Sequence, residues 1–95
     1  MKCALVTGGS RGIGSAICQK LADDKRYHIL INYQSNRDAA EKTLEEVIKR
    51  GASGEVIKFN VSDAEGVKNT LTAWQEANPE SIVEVIVNNA GITKD

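Results

Sequence analysis

Short runs of adjacent apolar residues alternate along this chain with longer stretches in which apolar residues recur every three or four positions. Cys3-Ala4-Leu5-Val6, Ile29-Leu30-Ile31 and Ile82-Val83-Glu84-Val85-Ile86-Val87 are runs of the first kind. Such short, nearly continuous runs suit strands covered on both faces. They predict strands over 2–6, 28–33 and 82–87, and the segment from Glu55 to Asn60 predicts a further strand over 55–60. After the first strand, Ile13, Ala16, Ile17 and Leu21 share one face of a helix, which Asp23-Asp24-Lys25-Arg26 closes. A second helix is predicted over 37–50, with Ser35 or Asn36 as its cap. Ala40, Leu44, Val47 and Ile48 form its inward face, and Gly51 suits the position just past its end. Ser62 and Glu65 have the spacing of a capping box for a third helix. That helix turns Ala64, Val67, Leu71 and Trp74 inward, and Asn78-Pro79 stops it.

The resulting order is βαβαβαβ. Strands and helices that alternate with short connections imply a parallel sheet with right-handed crossovers. The expected fold is α/β, a Rossmann-type doubly wound parallel sheet with spatial strand order 3-2-1-4. Strand four then has a free side, and proteins normally cover an apolar edge strand. The expectation is that residues 1–95 are the N-terminal cofactor-binding portion of a single, truncated Rossmann domain. More of the same chain, or another subunit, would lie beside strand four.

Composition narrows this only at the margins. Of the 95 residues, 41% are hydrophobic and 26% charged, as in a globular domain. A net charge of −1 gives no general attraction to nucleic acid or an anionic membrane. No apolar stretch approaches the roughly 20 residues of a membrane span. Strand-like sequence from residue 3 leaves no room for a signal peptide, so a cytoplasmic location is expected. Cys3 and Cys18 lack metal or redox spacing and read as buried small hydrophobes. His28 is the only histidine, and no metal site is expected. Trp74 reads as core, and the charges of the second helix suggest the pairs Glu45–Lys49 and Glu46–Arg50.

The candidate chemistry lies in Thr7-Gly8-Gly9-Ser10-Arg11-Gly12-Ile13-Gly14, between the first strand and first helix. A strand, a glycine-rich turn and a helix start form a phosphate cradle, because the helix N-terminus offers unpaired N–H groups and the positive end of its dipole. Charge then bears on the choice of nucleotide. An NAD site places a carboxylate after strand two to hold the ribose 2′-hydroxyl. Here that strand runs out as Asn32-Tyr33-Gln34-Ser35-Asn36-Arg37, with no carboxylate before Asp38. A carboxylate would repel a 2′-phosphate, whereas Arg11, Asn32 and Ser35 can donate hydrogen bonds to one. The expected cofactor is NADP(H).

The glycines at 8, 12 and 14, with Thr7 before them and Asn88-Asn89-Ala90-Gly91 after the fourth strand, resemble the short-chain dehydrogenase/reductase family over the whole chain. The segments Gly-Gly-Ser-Arg-Gly-Ile-Gly and Asn-Asn-Ala-Gly-Ile-Thr-Lys-Asp look most like its 3-oxoacyl-acyl-carrier-protein reductase branch. The resemblance implies cofactor roles for Gly8, Gly9, Ser10, Arg11, Gly12, Ile13 and Gly14, and for Asn32, Tyr33 and Ser35. Asn60 and Val61 would flank the adenine, where Asn60 stands in place of the family's commoner Asp. Asn89, Ala90 and Gly91 would lie beside the adenosine ribose, with Asn88 and Asn89 tying neighbouring strands together.

The family's Tyr-x-x-x-Lys pair is absent. Tyr27 is followed four positions on by Ile31, and Tyr33 by Arg37. No residue is assigned a catalytic role, and the chain alone is expected to be inactive. The resemblance implies a parent enzyme that reduces a 3-oxoacyl thioester, carried on acyl carrier protein, with NADPH in fatty acid synthesis, and that is a homo-oligomer when intact. The alternatives are a non-enzymatic NADP(H)-binding module, another short-chain ketone, alcohol or sugar reductase, or a fragment that only associates through strand four.

Overall fold

The computed structural model describes residues 1–89. The chain runs β1 (Lys2–Val6), α1 (Gly12–Asp24), β2 (His28–Tyr33), α2 (Arg37–Lys49), β3 (Ser53–Lys58), α3 (Ala64–Ala77) and β4 (Ile82–Val87). All strand pairs are parallel, and the sheet order is β3-β2-β1-β4, as the alternating pattern predicts. Ala4, Val6, Ile29 and Ile31 face α1 and α2, where they meet Cys18, Ala22, Ala40 and Val47. Cys3, Leu5, Leu30, Ile57 and Phe59 face α3, where Val67, Leu71 and Trp74 pack against them. Alternate side chains of each central strand thus enter opposite cores, which is why β1 and β2 read as continuous apolar runs.

Both cysteines are free and buried. Burial raises the Cys3 thiol and pushes Cys18 up to about 12, so both remain neutral thiols at ordinary pH. Trp74 is a core residue with a polar tip. Its Nε1 donates to Glu55 Oε1 at 3.1 Å, and the other carboxylate oxygen of Glu55 lies 2.8 Å from His28 Nε2.

Several local expectations are corrected. The inward stripe of α1 is Gly14, Cys18 and Ala22, flanked by Ile17 and Leu21. Ile13 is 61% exposed and Ala16 is also outside. The helix is rotated because Gly14 must lie against the glycine turn. In α2, Thr43 is buried and Ile48 exposed. β3 starts at Ser53, two residues early, because it pairs with β2 from His28 onward. The cap of α3 is Asp63, whose Oδ1 accepts the Gly66 N–H at 3.0 Å, not Ser62, and Ala64 is exposed. Neither charge pair expected on α2 forms. Lys49 reaches Glu46, and Arg50 crosses to Asp23 on α1.

The edge strand β4 departs from the doubly covered reading. Its register slips between Cys3 and Ala4, which face Val83 and Val85 respectively. Glu84 is the extra residue of this bulge, so Val83 packs on the α3 side while Val85 and Val87 pack on the other. Ile82 and Ile86 are 65% and 58% exposed. Among the described residues β4 pairs with β1 alone.

Candidate functional site

The site forms where β1 and β2 end and α1 begins. Thr7 anchors the turn after β1. Its N–H donates to the Val87 carbonyl at 3.0 Å, and its hydroxyl oxygen accepts the Asn89 N–H at 2.9 Å. Asn89, nearly fully buried, returns the tie by donating from Nδ2 to the Gly8 carbonyl at 3.2 Å. The expected strand tie is therefore made by Asn89, while Asn88 is exposed. Ala90 and Gly91 lie outside the described residues.

Two glycines shape the turn in different ways. A Cβ on Gly14 would collide with the Gly8 carbonyl oxygen and stand 2.7 Å from Asn89 Nδ2. Gly14 thus lets α1 seat directly on the turn. Gly12 has φ 62° and open space where a Cβ would be. It supplies the left-handed backbone that starts the helix and leaves its approach clear. Gly9 faces inward, where a Cβ would meet Cys18 Sγ at 3.0 Å, so it packs the core and does not line the cleft.

Asn32, 2% exposed, joins three segments. Its Oδ1 accepts the Gly8 N–H at 3.0 Å, and its Nδ2 donates to the Phe59 carbonyl at 3.1 Å and to those of Ile57 and Tyr33 at 3.3 Å. The Asn32 carbonyl also accepts the Gly9 N–H at 2.9 Å. Both ends of this amide are occupied, so Asn32 holds the cleft wall rather than offering a free donor. Asn60 likewise directs its Oδ1 to the Ser62 N–H at 2.9 Å, closing a local turn.

A cleft of about 190 Å³ opens beside these groups. Its lining includes Gly8, Ser10, Arg11, Asn32, Tyr33, Ser35 and Val61 from the sequence expectation. Gln34, Asn36 and Phe59 also line it and were not anticipated. Among the described residues no lining residue is acidic. Arg37 stands outside the lining. Its guanidinium bonds Glu41 and is raised above its ordinary value by that bond.

The three helix starts differ. Asn36 caps α2 by accepting the Ala39 N–H, and Asp38 lies in the first turn. Asp63 caps α3, and Glu65 lies in the first turn. At α1, Arg11 makes no side-chain cap bond and the first turn holds no acidic residue. The first-turn N–H groups of a helix have no partner within it, so among the described residues this end presents donors and a positive dipole end with no side-chain cap or first-turn acid to meet them. Ile13, in that turn, is exposed and is not part of the cleft lining.

The family model for short chain dehydrogenase matches residues 2–95. The chain belongs to the short chain dehydrogenase family. It is 42% identical over 94 residues to the 3-oxoacyl-[acyl-carrier-protein] reductase FabG of Staphylococcus epidermidis, covering 99% of this chain and 37% of that protein. The uncharacterized oxidoreductase YgfF of Escherichia coli is 38% identical over 92 residues, covering 97% of this chain and 36% of that protein. Among solved structures, the promiscuous reductase LugOII, described as catalysing keto-reduction at C1 in lugdunomycin biosynthesis, superposes with a TM-score of 0.81 at 29% identity. That match covers 98% of this chain and 38% of LugOII. The chain thus spans about 37% of the length of the curated FabG relatives. Family membership implies a nicotinamide dinucleotide as cofactor, which agrees with an uncapped helix start beside an open glycine turn. No helix among the described residues is long and apolar enough to cross a membrane.

Proposed function

We propose that the described cleft binds the adenosine and phosphate end of NADP(H), and that the protein to which this chain contributes is a reductase of 3-oxoacyl thioesters. The carrying observation is the pairing of an uncapped, acid-free α1 start with a cleft that holds Arg11 and no carboxylate. The N–H groups at the start of α1 suit the pyrophosphate. Arg11 offers a planar fork that matches a 2′-phosphate. The occupied amide of Asn32 shifts that role further onto Arg11, with Ser35 and Gln34 as neighbouring donors.

When bound, the nicotinamide supplies a hydride to the carbonyl carbon of a ketone, and a proton on the oxygen completes the alcohol. The described residues contribute only binding and orientation. They would hold the nucleotide through the α1 start and the cleft beside it. The substrate reading rests on the 42% identity to FabG. The likeness to LugOII supports ketone reduction more broadly, so a different ketone remains the second reading.

The test is an amide chemical-shift titration of the chain with NADPH. Shifts should concentrate at Gly8, Ser10, Arg11, Ile13 and Ser35 and spare α3. Shifts spread over α3, or none at saturating nucleotide, would overturn the assignment.

A further inference from the structure

Thr43 is the polar member of the buried stripe of α2, between Ala40 and Val47, and is 2% exposed. Its hydroxyl oxygen lies 2.9 Å from the Ser10 carbonyl oxygen and 2.8 Å from Ser15 Oγ. A carbonyl can only accept, and a hydroxyl carries one proton, so Thr43 donates to Ser10 and Ser15 donates to Thr43. Ser15 Oγ then accepts from Gln19 Nε2 at 3.2 Å. Gln19 Oε1 accepts from Arg50 Nη2 at 3.1 Å, and Arg50 Nη1 rests on both oxygens of Asp23 at 2.9 and 3.0 Å. From Arg50 through Gln19, Ser15 and Thr43 the donors run one way, to a single backbone carbonyl in the glycine turn.

That carbonyl belongs to the peptide that precedes Arg11. The peptide is planar and trans, so its N–H points opposite to its C=O. Fixing the Ser10 oxygen toward α2 therefore fixes the Arg11 N–H away from α2, and with it the backbone of the turn from which the Arg11 side chain leaves. The position of this peptide matters because Arg11 borders two spaces, the cleft and a more open groove of about 410 Å³ between α1 and α2, which Ser15, Gln19, Lys42, Thr43 and Glu46 also line.

We propose that Thr43 is a positioning residue for nucleotide selectivity, holding Arg11 at the cleft through the Ser10 carbonyl. This rests on the NADP(H) reading above. The experiment measures dissociation constants of the chain for NADPH and NADH, with urea unfolding of each variant. Thr43→Val keeps the volume and removes the hydroxyl. It should weaken NADPH about five- to tenfold, the scale of one lost hydrogen bond, and NADH less than twofold. Thr43→Ser should restore the ratio to within about twofold, since it keeps the donor. Val67→Ala, on α3 against the core on that side of the sheet, should lower stability without moving the ratio.

An unchanged NADPH-to-NADH ratio in Thr43→Val overturns the proposal, as does an equal change in Val67→Ala. Should Thr43→Val not fold, Thr43→Ala carries the test. It also removes the donor to the Ser10 carbonyl, so the ratio should fall about five- to tenfold, and no fall overturns the proposal. A wild-type chain that prefers NADPH while the variants match it defeats only the role of Thr43. A wild-type chain that binds neither nucleotide defeats the functional reading itself.

Discussion

At the scale of single residues, the site is held mainly by side chains that touch backbone. Asn32 and Asn89 clamp Gly8 from opposite sides, one through its N–H and the other through its carbonyl. The glycines of this turn and the asparagines that meet it were visible in the sequence. Which asparagine was free to meet a ligand was not, because that depends on carbonyls contributed by β3, residues away in the chain. Thr43 left a fainter signal, a single polar residue at helical spacing between Ala40 and Val47. Gly14 offers the sharpest test at this scale. Gly14→Ala places a methyl group against the Gly8 carbonyl and Asn89. It should cost about 1–3 kcal/mol of stability by overpacking and also separate α1 from the turn, abolishing measurable NADPH binding. Urea unfolding with nucleotide titration reads both. Unaltered stability would show that the contact is loose.

At the scale of elements, apolar spacing located each helix but misjudged two faces. Ile13 and Ile48 continue the apolar stripes of α1 and α2 in sequence, yet both are exposed. In α1 the close seat of Gly14 on the turn selects small residues, Cys18 and Ala22, for the face nearest the sheet. Spacing alone cannot weigh that steric demand. The cap of α3 shows a similar competition. Ser62 and Glu65 satisfy the capping-box pattern, but Asn60 captures the Ser62 N–H and turns the chain one residue further. Asp63 then meets the Gly66 N–H. Asp63→Ala should destabilise the chain by about 0.5–2 kcal/mol, whereas Ser62→Ala should change stability by less than about 0.5 kcal/mol. Thermal unfolding of the two variants decides between the caps, and the reverse order would restore Ser62. The contrast with α1 has functional weight. Two helices carry side-chain caps and first-turn acids, and the one facing the glycine turn carries neither.

At the scale of the whole molecule, strand order and the two-faced core followed directly from the alternation of strand and helix patterns. The bulge at Glu84 did not, since a register slip leaves no mark on an apolar run. The cleft lies at the ends of β1 and β2 where the chain enters α1 and α2, the position at which open α/β sheets bind ligands. The chain matches its FabG relatives across nearly all of its own length but about 37% of theirs. That match spans the glycine-rich turn, and these 95 residues contain no Tyr-x-x-x-Lys pair. The central claim is accordingly one of binding, that this turn and cleft select a nucleotide bearing a 2′-phosphate. Calorimetric titration of the chain with NADPH and with NADH under identical salt tests it most directly. Tighter binding of NADPH by about tenfold or more, a difference of roughly 1.4 kcal/mol that shrinks as salt rises, is the predicted result. Equal affinity for the two, or preference for NADH, would contradict it.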